Sequence, residues 1–178
     1  MERLIIFDLN GVIGQKIDSF KRKLSENEVR CGNYIFRLFP GAKDFISYCL
    51  KHYSVAIWTS TSGNNASSIV SLLFTMEEQK QLEFTWYRDF TKLDPDYNRN
   101  PSIEKFDTIK DLNDLFLCPK FNRKWNSENT LLIDDSYQKT RFNSARNVII
   151  LNNPSNETFE QLKFDLEALF SDLQNEER

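Results

Sequence analysis

Short, uninterrupted apolar runs constrain this chain more than any other feature. Leu4-Ile5-Ile6-Phe7, Ser54-Val55-Ala56-Ile57-Trp58, Thr130-Leu131-Leu132-Ile133 and Asn147-Val148-Ile149-Ile150-Leu151 are continuous rather than alternating, as strands covered on both faces must be. Phe84-Thr85-Trp86-Tyr87 reads as a further strand. Between the runs lie helical stripes. Pro40-Gly41 opens one, and Ala42, Phe45, Ile46, Cys49 and Leu50 share its apolar face; Ala66, Ile69, Val70, Leu73 and Phe74 repeat the spacing. Ile109-Lys110-Asp111-Leu112 leads into a short helix, and a terminal helix is expected over 155–173. Strands alternating with helices predict an α/β domain, a central parallel sheet flanked by helices and joined by right-handed crossovers. Two segments interrupt the pattern. Residues 14–39, with the alternating stretch Tyr34-Ile35-Phe36, are expected to form a small hairpin or flap, and residues 88–108, with Pro95, Pro101 and Asn98-Arg99-Asn100, a loop. Neither is long enough for a large cap domain, and 178 residues suit a single domain.

Composition narrows the function classes. A net charge of −3 argues against a nucleic-acid binder, which needs a broad basic surface. No apolar run approaches the roughly 20 residues that span a bilayer, and MERLIIFDLNG lacks the layout of a signal peptide. Cys31, Cys49 and Cys118 are odd in number and form no CxxC, which fits a reducing compartment and a cytoplasmic setting rather than disulfides or zinc. His52 is the only histidine, so histidine-based metal binding and a His-dependent triad are not expected.

The ends of the runs carry the chemistry. In a parallel α/β sheet, ligands bind beyond the carboxyl ends of the strands, where this chain has Asp8, Thr59 and the pair Asp134-Asp135. Each alone is an ordinary cap or turn residue. Together with Lys110 they form a set suited to phosphoryl transfer. Carboxylates hold a hard cation such as Mg²⁺, a hydroxyl and helix-start N–H groups hold phosphate oxygens, and a lysine neutralises the transition state.

In the order Asp8-Leu9-Asn10-Gly11-Val12, Trp58-Thr59-Ser60, Lys110-Asp111-Leu112 and Asp134-Asp135-Ser136, the chain resembles the haloacid dehalogenase superfamily. It is most similar to the branch of the RNA polymerase carboxy-terminal-domain phosphatases and NLI-interacting factor. Phe39-Pro40 and Asp44-Phe45 add to the likeness, which covers roughly residues 1–151. The resemblance implies a Mg²⁺-dependent phosphatase acting on a phosphorylated protein or peptide. Asp8 would be nucleophile and metal ligand, and Asn10 would lend its main-chain carbonyl to the metal. Thr59, with Ser60, would hold the phosphoryl group, Lys110 would bridge phosphate and acids, and Asp134 and Asp135 would be the acidic metal locus. Short phosphatases of this style also occur among bacterial effectors, so delivery into a host cell is compatible with the sequence.

Asn10 departs from the pattern, because the family has an aspartate there as general acid and base. Such help is worth about a hundred- to ten-thousand-fold in rate. One reading is an enzyme tilted toward phosphotyrosine, whose phenol leaves with a pKa of about 10 against about 16 for water, the guide to an alkyl hydroxyl. The other is a pseudophosphatase that binds a partner. An open cleft suits a protein-borne phosphate better than a small metabolite, and Lys16, Lys21, Arg22, Lys23, Arg30 and Arg37 offer a basic rim on the 14–39 segment or a merely solvated surface.

Overall fold

A computed structural model describes residues 2–18, 23–97, 99 and 107–175. Along the chain run β1 (Leu4–Phe7), β2 (Gly14–Asp18), β3 (Glu28–Cys31), β4 (Tyr34–Leu38), α1 (Ala42–His52), β5 (Ser54–Trp58), α2 (Gly63–Leu73) and α3 (Met76–Gln81). They are followed by β6 (Thr85–Trp86), β7 (Lys92–Leu93), β8 (Thr108–Ile109), α4 (Leu112–Phe116), β9 (Thr130–Asp134), α5 (Tyr137–Thr140), β10 (Val148–Ile150) and α6 (Asn156–Asn175). Five strands form a parallel sheet in the order β10-β9-β1-β5-β6.

The continuous apolar runs are explained by two cores. Ile5, Phe7, Val55, Ile57, Leu131 and Ile133 face one layer, where α1, α2 and α6 pack and Phe45 meets Phe7 edge-on at 5.8 Å and Phe159 at 5.0 Å. Leu4, Ile6, Ala56, Trp58 and Leu132 face the other, filled by Phe84, Trp86, Leu115, Phe121 and Trp125. Burying each such side chain contributes roughly 1.5–3 kcal/mol, which favours this two-sided sheet over a half-exposed one. Trp58 and Trp86 are thus core residues.

Register then positions the site. Phe7 pairs with Ile57 on one side and Ile133 on the other. One residue further on, Asp8, Trp58 and Asp134 stand level at the carboxyl edge of the sheet, with Thr59 and Asp135 just beyond.

The 14–39 segment folds as a three-stranded antiparallel flap, β2-β4-β3. Within the expected loop at 88–108, β7 and β8 pair antiparallel, and a 3-10 turn spans Arg88–Phe90. Helix α3 is also additional to the sequence reading. None of its residues is buried, so it shows no apolar stripe, and a capping box between Thr75 and Glu78 starts it instead. The terminal helix runs to Asn175 rather than 173. Asn98, Asn100 and Pro101 of the loop, and Lys21 and Arg22 of the basic rim, lie outside the described residues. Among the described residues no helix is long and apolar enough to cross a membrane.

Candidate active site

Asp8 leaves β1 with its backbone N–H bonded to the Ile133 carbonyl at 2.9 Å, which fixes it against the end of β9. The chain then turns sharply. Ile13 N–H and Gly14 N–H both donate to the Leu9 carbonyl, and Gly11 takes φ +84°. A Cβ at Gly11 would overlap the side chain of Asp135. Glycine is therefore required both by the backbone conformation and by the close approach of the second strand end.

Lys110, on the strand-to-helix turn after β8, is completely buried and reaches into this edge. Its Nζ donates to Asp134 Oδ2 at 2.5 Å and stands 3.1 Å from Asp8 Oδ1. Burial disfavours the ammonium, but the charges of Asp8 and Asp134 and their hydrogen bonding outweigh it and hold the lysine above its ordinary pKa. For Asp134 burial works upward, and Lys110 prevails to hold the carboxyl below its usual range. Asp134 is satisfied on both oxygens, since Oδ1 accepts the Ser136 N–H at 2.9 Å. Asp135 differs. Burial raises it most, Lys139 pulls it down, Asp8 and Asp134 push it up, and it comes to about 6.

The carboxylates of Asp8, Asp134 and Asp135 each offer one oxygen, all within 4.8 Å of one another. Among the described residues, neither oxygen of the buried Asp8 accepts a well-directed hydrogen bond, and neither does Asp135 Oδ1. Three carboxylates thus share one buried cation, Lys110, with Lys139 3.9 Å from Asp135 at the periphery. Unpaired buried carboxylate oxygens are costly, and an all-oxygen set is the donor chemistry of a hard divalent cation. The residues fit such a cation.

A cleft of about 360 Å³ opens over this edge, lined on its floor by Asp8, Asn10 and Thr59. Thr59, itself buried, bonds Thr61 through its hydroxyl, which accepts the Thr61 N–H at 3.2 Å. Ser60 lines the cleft too, although its hydroxyl is shared with Thr108 at 2.8 Å. Ser62 occupies the N-cap position of α2 without a side-chain capping bond and lines the cleft, which puts the start of that helix beside the same space. Asn10 is exposed, and its Oδ1 accepts the Lys16 N–H at 3.0 Å.

The sequence-selected residues Asp8, Asn10, Thr59, Ser60, Lys110, Asp134 and Asp135 therefore converge at one edge. Asp111 is the N-cap of α4 and takes no part there. Lys16, Tyr34 and Phe36 of the flap, Arg88 after β6 and Lys139 of α5 also line the cleft and had no place in the sequence-derived set, apart from Lys16 as a rim residue. Arg88 left a signal in the sequence, since with Tyr87 and Asp89 it follows a strand end and could border the cleft, although the sequence attaches no role to it.

A parallel α/β sheet with this acidic edge and a small flap defines a haloacid-dehalogenase-like fold. The chain aligns with the RNA polymerase II CTD phosphatase Fcp1 at TM-score 0.55 and 16% identity, covering 94% of this chain and 49% of that one. Fission yeast Fcp1 bound to beryllium fluoride gives 0.54 and 18%, covering 94% and 50%. The family profile of NLI interacting factor-like phosphatases matches residues 3–177, and the chain belongs to that family. In sequence, an uncharacterized FCP1 homology domain-containing protein of Schizosaccharomyces pombe is 26% identical over 142 residues, 77% of this chain and 55% of its own length. The chain thus spans about half the length of these relatives.

Proposed function

We propose that this domain hydrolyses phosphoric monoesters on proteins or peptides, with Asp8 as nucleophile, Mg²⁺ as cofactor and a preference for phosphotyrosine. The observation that carries the reading is the buried Asp8 carboxylate, unpaired by any well-directed hydrogen bond at the floor of an open cleft, with Lys110 3.1 Å away. Membership in a phosphatase family supports it. A carboxylate oxygen of Asp8 forms a bond to phosphorus as the ester P–O bond breaks and the alkoxide or phenolate departs with the bonding pair. Water then cleaves the aspartyl-phosphate, releasing inorganic phosphate and restoring the carboxylate. When bound, Mg²⁺ supplies charge neutralisation between the anionic nucleophile and the phosphate.

Asp8, Asp135 and the Asn10 main-chain carbonyl would hold the ion. Asp134 serves mainly to anchor Lys110, since both of its oxygens are already engaged. Lys110 neutralises Asp8 and Asp134 and meets the phosphoryl oxygens, while Thr59, Ser60 and the N–H groups at the start of α2 receive them. Asn10 sets the substrate tilt. The Lys16 N–H is a donor, so the atom facing it must be the amide oxygen. Asn10 lines the cleft, and its NH₂ group can donate a hydrogen bond to a leaving oxygen but cannot transfer a proton. A phenolate needs no more than that; an alkoxide does. Cys31 and Cys49 are buried free thiols, which suits a reducing compartment.

Phosphotyrosine and phosphoserine versions of one peptide, assayed with Mg²⁺ and with chelator, test the reading. Faster phosphotyrosine turnover that requires the metal is expected, and Asn10→Asp should raise phosphoserine turnover more than phosphotyrosine turnover. Equal rates on both esters would remove the tilt, and activity unchanged by chelator would remove the metal.

A further inference from the structure

The cleft is chemically lopsided. Its sheet side, from Thr59 through Ser62 with Asn65, presents hydroxyls and an amide, and its rim carries Arg88 and Lys139. Among the described lining residues only Tyr34 and Phe36 are aromatic or apolar, and both come from the flap strand β4. Phe36 is buried beneath the flap, while Tyr34 is half-exposed. Tyr34 is also held in place. It stands opposite Cys31 in the register of β3 and β4. Cys31 in turn contacts the Asn65 carbonyl through Sγ at 3.8 Å, which ties the flap to α2 beside the phosphoryl-binding turn. Lys16 Nζ lies over the Tyr34 ring, 4.6 Å from its centroid, so an ammonium and an aromatic face sit together at the mouth. Burial above all, with Cys31 adding to it, pushes the Tyr34 phenol up to about 12, and the ring stays neutral beside an anionic substrate.

An ester placed with its phosphorus at Asp8 has one apolar surface within the cleft on which to lay an aromatic leaving group. We propose that Tyr34 is a specificity-determining residue: its ring packs against the aryl group of a phosphotyrosyl substrate while Lys16 stands beside the phosphate. The assignment deepens the aryl-phosphate reading given above and rests on it. The two residues act at different places, Asn10 on the leaving oxygen and Tyr34 on the ring. Aromatic pairs prefer offset or edge-on contacts and contribute beyond the area they bury, so the flap favours a flat ring over a seryl or threonyl side chain before any bond breaks.

The test compares kcat/KM of the full chain and its Tyr34→Ala and Tyr34→Phe variants on a phosphotyrosine peptide, the matched phosphoserine peptide and acetyl phosphate. Acetyl phosphate has a good leaving group and no ring. Tyr34→Ala should lose about 10-fold on the phosphotyrosine peptide and stay within about 2-fold on acetyl phosphate, while Tyr34→Phe, which keeps the ring, stays near wild type on both. Should Tyr34→Ala fail to fold, Tyr34→Leu carries the same comparison, because it retains apolar volume without a flat face. Equal losses on phosphotyrosine and acetyl phosphate, or an unchanged aryl preference in the variant, would overturn the role of Tyr34 and leave the aryl reading standing. A wild-type enzyme with no preference for the aryl ester would bring down both.

Discussion

Two clusters pair a buried carboxylate with a cation in this fold, and they are built in opposite ways. In one, Asp94 is almost inaccessible and fully satisfied. Arg141 grips it through both guanidinium nitrogens at 2.7 Å, Gln138 donates to Oδ2 and the Asp96 N–H donates to Oδ1. Arg141 also reaches Asp96 at 2.9 Å. In the other, Asp8 is equally inaccessible, yet neither of its oxygens accepts a well-directed hydrogen bond among the described residues. Both clusters have the same raw materials. The first is closed and fastens the β7 segment to α5. The second is left open on the side facing the cleft. A saturated carboxylate is held too well to act as a nucleophile or metal ligand, whereas an unsaturated one is costly unless something binds it.

The contrast is broken most sharply by removing the two aspartates in turn. Asp8→Asn should reduce kcat by at least about a thousandfold while leaving thermal stability unchanged or higher, since it removes a carboxylate that repels Asp134 and Asp135. Asp94→Asn should do the reverse, costing about 3 kcal/mol in denaturant unfolding with catalysis by the folded fraction largely kept. If Asp8→Asn proves the more destabilising of the two, the clusters are not opposites.

Metal linkage sharpens the same point. Mg²⁺ at about a hundred times its Kd should raise stability by roughly 2–3 kcal/mol through mass action. The shift should persist in Asp94→Asn and vanish in Asp135→Asn; calorimetric unfolding with and without the ion checks both.

Acid titration gives the smallest expected effect. Asp94 is held below the ordinary carboxyl range, first by the Arg141 hydrogen bonds, against the opposing effect of burial. A group depressed in the folded state contributes stability above its unfolded pKa of about 4, and that contribution is lost as pH falls through the lower folded value. Unfolding free energy should therefore fall below about pH 4, and less steeply in Arg141→Met, which has no guanidinium to lose. An identical slope in the variant would show that the pairing does not set the acid limit.

Much of this was legible in the sequence because it follows from local pattern. Doubly buried strands must be continuous apolar runs, and residues after them must gather at one edge, so the sequence alone places Asp8, Thr59, Asp134 and Asp135 together. Lys110 came from order and resemblance. What escaped was non-local. Asp94 and Arg141 are separated by 47 residues and look like unrelated surface charges. Tyr34 and Phe36 read only as an alternating strand, since nothing in a two-residue period says which cleft it borders. Asp134 and Asp135 are chemically identical in sequence, and nothing in it says that Lys110 and the Ser136 N–H both bond to Asp134. Helix α3 lacked the buried stripe by which helices are recognised.

The most direct measurement is a crystal structure of the protein grown with Mg²⁺ and beryllium fluoride, a tetrahedral phosphoryl mimic. Beryllium bonded to a carboxylate oxygen of Asp8, with Mg²⁺ between Asp8 and Asp135, is the predicted result. Beryllium fluoride bound elsewhere, or Mg²⁺ absent from that pair of side chains, would contradict the account.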